Sequence, residues 1–319
     1  MKNGDVSERK VLVALENSPY SNTILKYICN LFVGQPAIKF HLIGIVPCHV
    51  SELSRNWLSQ EELLSAIDNA TRKKYAAYKI FLAEKMRDLI SCGFTENQVG
   101  TSVLLAKGGT VGDILYQAQK EKYDALVLGK KDLSRLEKMF LGSVSTEVLK
   151  RKSLLPVWIV SGTVSSQRFL VPVDCTPHTL EAVNHLAFML KDNPAVEITL
   201  FHSCALLASD HITPKESFYG KWGKEWCDEH LKGEEDDHFH FHATEQVLKE
   251  AGFPMERVRR LETREGIEPG QMIVYHIKHE DYGTIVMGRR GKDVSKGIFR
   301  GVSDRVLANV ENVAIWIIG

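Results

Sequence analysis

VLVALENSPYSNTILKYICNLF, residues 11–32, and FLVPVDCTPHTLEAVNHLAFML, residues 169–190, are one pattern written twice. Each runs from a β-branched apolar strand to an acidic residue, Glu16 or Asp174, then to a hydroxyl–proline pair and an amphipathic helix. The pairs Ser18-Pro19 and Thr176-Pro177 predict a hydroxyl at the N-cap and proline at the first helical position, where a missing N–H breaks no hydrogen bond. A second matched pair is YDALVLGKKDLSRLEKMFLGSVSTEVL, residues 123–149, with YGTIVMGRRGKDVSKGIFRGVSDRVL, residues 282–307. A third is LPVWIVSG, residues 155–162, with VAIWIIG, residues 313–319. Glu16 aligns with Asp174 and Gly129 with Gly288 at offsets that agree to within one residue. Three blocks in one order at one offset establish an internal duplication.

In the first copy the apolar runs predict strands near 11–15, 39–46, 99–105, 124–128 and 157–160, with helices near 18–32, 60–91, 110–121 and 143–151. Strands separated by helices imply right-handed crossovers and a mostly parallel sheet covered on both faces. ALVLG and TIVMG are apolar throughout, as strands buried on both faces should be. The expected architecture is two flavodoxin-like, doubly wound α/β domains in tandem, residues 1–162 and 163–319, each with a parallel five-stranded sheet, related by a pseudo-twofold axis. The linker SGTVSSQ, residues 161–167, is short and polar.

Bulk properties narrow the function classes. Hydrophobic residues at 44% against 25% charged favour packed cores over disorder. Lys+Arg and Asp+Glu balance at 40 each, which gives no electrostatic case for nucleic acid or an acidic membrane as partner. The opening MKNGDVSERK has no apolar core and reads as no signal peptide. No apolar run approaches the roughly 20 residues that cross a bilayer. Cys29, Cys48, Cys92, Cys175, Cys204 and Cys227 are scattered without CxxC spacing and read as reduced thiols in a cytoplasmic protein.

In a doubly wound sheet the ligand crevice lies at the carboxyl ends of the strands, at the point where strand order reverses. In the first copy that brings together Leu15, Glu16, Asn17 and the loop from Gly129 to Ser145; in the second, Asp174, Cys175 and the loop from Gly288 to Ser303. Glycine directly after a buried strand lets a ligand approach the backbone, and a helix opening with GSVS offers free N–H groups and hydroxyls to an anion. An acidic residue at the end of the first strand suits a ribose hydroxyl or an adenine amine.

These residues resemble the universal stress protein family, with its adenine-nucleotide-α-hydrolase-like fold. The resemblance implies an aspartate after strand one and G-x2-G-x9-G-[ST] between strand four and the last helix, a loop that holds phosphates and ribose in the ATP-binding members. The first copy has Gly129, then Asp132 in place of the second glycine, then Gly142-Ser143, followed by Val144 and Ser145. The second has Gly288, Gly291 and Gly301, but Val302 follows and the hydroxyl comes one residue later, at Ser303; Arg290 adds a cation. Asp132 sets a like charge toward the polyphosphate, and the second copy lacks one residue of the cradle. By the same resemblance adenine would lie beside backbone at Ile45 and Ser203. Universal stress proteins commonly dimerise through their last strand, which implies an intramolecular pseudo-dimer pairing 157–160 with 314–318; a homo-oligomer beyond it is left open.

Other features were weighed. HLKGEEDDHFHFH, residues 230–242, places His238 and His242 one helical turn apart if 236–251 is a helix, a pattern open to zinc or to a solvated, charged helix start. No GxSxG, HExxH or GxxxxGK[ST] occurs, so no catalytic residue is assigned. Trp158 and Trp316 occupy equivalent final strands and read as interface packing or ligand stacking. Two functions remain open. One is a cytoplasmic stress-response protein that binds ATP or a related adenine nucleotide in at least one copy. The other is a non-nucleotide member that acts through protein partners, a small ligand or a metal in the second copy.

Overall fold

A computed structural model of the chain describes residues 8–48, 57–130, 143–151, 155–174, 176–203, 215–231, 239–263, 268–289 and 302–319. It divides into two compact units, one holding the described residues up to Thr163 and the other those from Val164 onward. In the first, β1 (Arg9–Ala14), β2 (Ile38–Val46), β3 (Val99–Leu105), β4 (Ala125–Gly129) and β5 (Val157–Val160) lie in the order β3-β2-β1-β4-β5, every pairing parallel. In the second, β6 (Arg168–Pro172), β7 (Glu197–Ser203), β8 (Val258–Thr263), β9 (Thr284–Gly288) and β10 (Ala314–Ile318) repeat it as β8-β7-β6-β9-β10, again parallel. The duplication read from the residues is therefore a duplication of topology. In each unit the chain winds outward from its first strand, then returns to add the fourth strand on that strand's other side.

The helices that cross between strands are α1 (Tyr20–Phe32), α2 (Gln60–Ala66), α3 (Asn69–Cys92), α4 (Thr110–Lys120) and α5 (Ser143–Lys150) in the first unit. The second has α6 (Pro177–Leu190), α7 (Tyr219–Trp222), α8 (Lys224–His230), α9 (Phe239–Glu250), α10 (Pro269–His279) and α11 (Val302–Asn309). Helices on both faces leave the central strands no contact with water: Val11, Leu12, Val13, Leu126 and Val127 are fully buried. Among the described residues no helix is long and apolar enough to cross a membrane.

Four expectations need correction. The single helix expected over 60–91 is two, because Asp68 accepts a hydrogen bond from the Thr71 N–H at 2.7 Å and caps a new helix at Asn69. Ser59 and Glu62 form a capping box at the start of α2. Second, Thr176 caps α6 with Pro177 following, as expected, but Ser18 does not cap α1. There the hydroxyl of Ser21 donates back to the Glu16 carbonyl at 2.5 Å.

The third concerns cysteine. Cys29 on α1 and Cys92 at the end of α3 are joined as a disulfide, their Cα atoms 6.2 Å apart, although no spacing rule links residues so far apart in the chain. Cys48 and Cys227 are buried and take part in no disulfide. Finally, of the two readings of Trp158 and Trp316 ligand stacking gives way, since both side chains are fully buried. Trp158 stacks on Phe32 with ring centroids 5.6 Å apart, and Trp316 meets the edges of Phe169 and His185.

Candidate functional site

Strand register decides which loop residues can meet. β1 pairs with β4 as Val11↔Ala125, Leu12↔Leu126 and Val13↔Val127, so Leu15 comes level with Gly129 at the carboxyl end of the sheet. Leu15 is buried and donates its N–H to the Ile43 carbonyl at 2.9 Å. Glu16 and Asn17 follow it into solvent. Ile45, buried in β2 opposite Leu104, lines the neighbouring strand end with backbone. The switch point of the first unit thus gathers Leu15, Glu16, Asn17, Ile45 and Gly129.

α5 closes this crevice from the other side. Ser145, buried, donates its hydroxyl to the Gly129 carbonyl at 3.2 Å, which anchors the first turn of α5 against the end of β4. That hydroxyl therefore holds the helix in place, a role that loop spacing alone did not reveal. Ser143 begins α5, so the helix N-terminus lies beside Gly129. Asp132 and Gly142 lie outside the described residues.

Val144 also lines a cavity of about 230 Å³ that the sequence reading missed. Its other walls are residues 108–112 at the start of α4, Glu147 on α5 and Arg151 just past its end. Gly109 has φ 83°, a backbone region that glycine enters without steric cost. The carboxylate of Asp113 accepts from the N–H groups of Lys107 at 2.8 Å and Gly108 at 3.0 Å, fixing the loop. Arg151 donates to Glu147 at 2.9 Å across the far wall. The missed signal was the Gly108-Gly109 pair in the turn between β3 and α4.

The second unit has the same plan with different contents. Asp174 is exposed, yet its carboxylate accepts from the hydroxyls of Thr176 at 2.7 Å and Thr179 at 2.5 Å, tying it to its own helix start. Gly288 ends β9, where a side chain would meet the first turn of α6: an added Cβ would stand 2.7 Å from His178 Cβ and closer still to the His178 carbonyl. At Gly129 the same Cβ would meet, among the described residues, only the tip of Ile24, at 3.2 Å from its Cδ1. Ala182 stands in α6 where Ile24 stands in α1, and the smaller side chain lets the helix backbone settle onto the glycine. The two matched glycines thus serve different ends.

At the end of β7 the Ser203 hydroxyl is buried without a hydrogen-bond partner among the described residues. Val302 and Ser303 open α11, Val302 exposed and Ser303 half-buried. Glu181 on α6 lies between His178, 3.7 Å away, and Lys221, 3.0 Å away, and these two neighbours, His178 foremost, hold its carboxyl below the usual range. Cys175, Arg290, Gly291 and Gly301 lie outside the described residues.

The zinc reading finds no donor set. Among the described residues no three His, Cys, Asp or Glu side chains stand where they could share a metal. His242 is exposed on α9, Cys227 is buried, and His230 packs on Trp226 and pairs with Glu250 at 3.7 Å. His238 lies outside the described residues.

Comparison with known proteins agrees with this architecture. A family model described as the universal stress protein family matches the chain twice, over residues 8–161 and 165–314. No curated protein matches. Among solved structures, a universal stress protein from Archaeoglobus fulgidus DSM 4304 is similar over 98% of this chain and 97% of its own, at 16% identity and TM-score 0.62. A functionally unknown protein from Pseudomonas aeruginosa PAO1 is similar over 98% of this chain and 93% of its own, at 13% identity and TM-score 0.55. A universal stress protein in complex with cAMP is similar over 48% of this chain and 97% of its own, at 19% identity and TM-score 0.34.

Proposed function

The chain belongs to the universal stress protein family, and from that premise we propose that it is a cytoplasmic stress-response protein that binds ATP or a related adenine nucleotide in the crevice of its first unit. The observation that carries the reading is the approach to Gly129. Among the described residues only the flexible tip of Ile24 stands over it, and the adjoining first turn of α5 opens onto a cavity of about 230 Å³. That volume is below the ~300–1,000 Å³ of a drug-sized pocket, so it takes a base or a ribose-phosphate while the rest of the ligand lies along the crevice. In this reading Glu16 meets the base–ribose end and Ile45 offers main-chain atoms to adenine. Gly142, Ser143 and the N–H groups opening α5 receive phosphate. No hydrolysis is assigned.

The second unit favours the other reading, a member copy that works through a protein partner or another small ligand. Its acid is engaged by Thr176 and Thr179, and the His178 backbone occupies the space above Gly288. A thermal titration of the full chain with ATP, AMP and cyclic AMP tests both. A nucleotide at a hundred times its Kd stabilises the native unit by about 2.7 kcal/mol. Val144→Trp, which fills the mouth of the cavity, abolishes the shift, whereas Ser303→Ala leaves it intact. A flat response to all three nucleotides ends the nucleotide proposal. A shift that survives Val144→Trp and disappears with Ser303→Ala moves the ligand to the second unit.

A further inference from the structure

The Cys29–Cys92 pair joins α1 to the end of α3 in the first unit. Its geometry is set by helix termini. α3 ends in a Schellman turn: Gly93, at φ 123°, donates to the Ile90 carbonyl at 3.0 Å, and Phe94 donates to Leu89 at 3.2 Å. That turn leaves Cys92 as the last helical residue, exposed. It abuts the end of α1, where Val33 packs so closely that a Cβ on Gly93 would stand 3.1 Å from Val33 Cγ1. Cys29 lies one turn back from Val33 and is half-buried. Packing alone therefore brings the two sulfurs together, with Cα atoms 6.2 Å apart, inside the span that a disulfide requires.

The second unit is a built-in control. Gly252 donates to Lys249 at 3.0 Å and Phe253 to Leu248 at 2.9 Å, the same turn at the same place. The matched positions there are Ala251 and Ala187. The turn thus forms without sulfur, so the helix end that presents Cys92 does not depend on the cysteine.

We propose that Cys29 and Cys92 are a reversible thiol–disulfide site, read by small-molecule thiols and disulfides through the exposed Cys92 sulfur, which staples α1 to α3 in the first unit only. In the reducing direction a thiolate attacks Cys92 Sγ, the protein S–S bond breaks, and Cys29 leaves as a thiolate and takes up a proton. A second thiol attacks the reagent sulfur of the mixed disulfide and releases Cys92. Two reagent thiols become one reagent disulfide, and the protein gains two electrons and two protons. The reverse sequence, with a disulfide reagent as oxidant, restores the bond. Because Val33 and Gly93 keep the helix ends together, the reduced unit stays folded and re-forms the same pair.

The test uses the full native chain equilibrated against graded mixtures of reduced and oxidised glutathione, then acid-quenched, denatured, alkylated and weighed. The reduced protein carries two more labels than the oxidised one, and the difference vanishes in the Cys29→Ser/Cys92→Ser double variant. The bond closes a loop with a sequence separation of 63, so reduction lowers the melting temperature of the first unit by roughly 5–10 °C. The double variant melts alike in both buffers. Cys29→Ser collects a glutathione adduct at Cys92, and Cys92→Ser resists it. An unchanged label count across the mixtures overturns the proposal, as does a two-label difference that persists in the double variant. Equal adduct formation in the two single variants overturns the assignment to Cys92.

Discussion

Gly129 and Gly288 occupy one position in the two copies, yet adding one methyl group should have opposite consequences. At Gly288 the new Cβ would meet the backbone of His178 well inside the ~3.5–4.0 Å of a comfortable carbon contact, so about 1 Å of movement is needed. What must move is α6, and its Leu180, Val183, Leu186 and Leu190 are buried to within 2% of complete exclusion. A helix packed along its length does not shift locally. Overpacking of this kind costs about 1–3 kcal/mol, and Gly288→Ala belongs at the upper end because the obstacle is main chain. At Gly129 the obstacle is the Cδ1 of Ile24 at 3.2 Å, the far end of a side chain that can rotate a few tenths of an ångström aside. Replacing a strand glycine also recovers roughly 0.5–1 kcal/mol of backbone entropy, so Gly129→Ala should fall within about 0.5 kcal/mol of the parent. Urea and calorimetric unfolding of the full chain should place Gly288→Ala roughly 5–10 °C lower in the second unit's transition, with Gly129→Ala unmoved. In a nucleotide titration the ranking inverts: Gly129→Ala loses ligand response and Gly288→Ala keeps it. Equal stability losses in the two variants would falsify the claim that these glycines serve different ends.

His185 is buried against Trp316, and burial pushes its pKa down to about 3. The unfolded chain takes up that proton near pH 6.5 while the folded one refuses it, so stability falls as pH drops from about 6.5 toward 3, by about 2 kcal/mol at pH 5. Urea midpoints at pH 7.5 and 5 should lose that part of their difference in His185→Asn, and an unchanged difference would remove His185 from the account. Asp174→Asn weakens the bonds from Thr176 and Thr179; at an exposed site the cost should be about 1 kcal/mol in the second unit's transition, with no change in nucleotide response. Gln60 pairs its amide with both the N–H and the carbonyl of Leu105, at 2.8 and 3.1 Å, extending the ladder beyond the edge of β3. Gln60→Ala should therefore lower first-unit stability by about 1 kcal/mol, visible as faster amide exchange at Leu105, and an unaltered exchange rate would show the pairing to be idle.

Much of the fold was legible because its signals are local. Apolar runs with turn residues at their ends located all five strands of the first copy to within two residues, and the repeat carried that order to the second. The residues gathered at the switch point, Glu16 with Gly129 and Asp174 with Gly288, follow from strand order alone once the sheet is doubly wound. The expectations that failed turned on choices between near-equal local options. Asp68 inside an apolar-periodic run looks like a tolerated polar residue until it is seen to cap a new helix. The hydroxyls of Ser18 and Ser21 are both placed to bond near the start of α1, and it is Ser21 that bonds back to Glu16 while Ser18 caps nothing.

By itself the sequence determined that the chain is a duplicated, doubly wound α/β protein, and which residues follow its strand ends. Periodicity and turn chemistry act over a few residues and need no partner to be read. Tertiary structure alone decided what stands opposite each of those residues: Ile24 over one glycine and a helix backbone over the other, hydroxyls on Asp174, Cys92 beside Cys29, a cavity behind Val144. Those are distances between segments far apart in the chain, set by how closely each helix settles on its sheet. A single side-chain volume, Ile24 or Ala182, is enough to change the outcome.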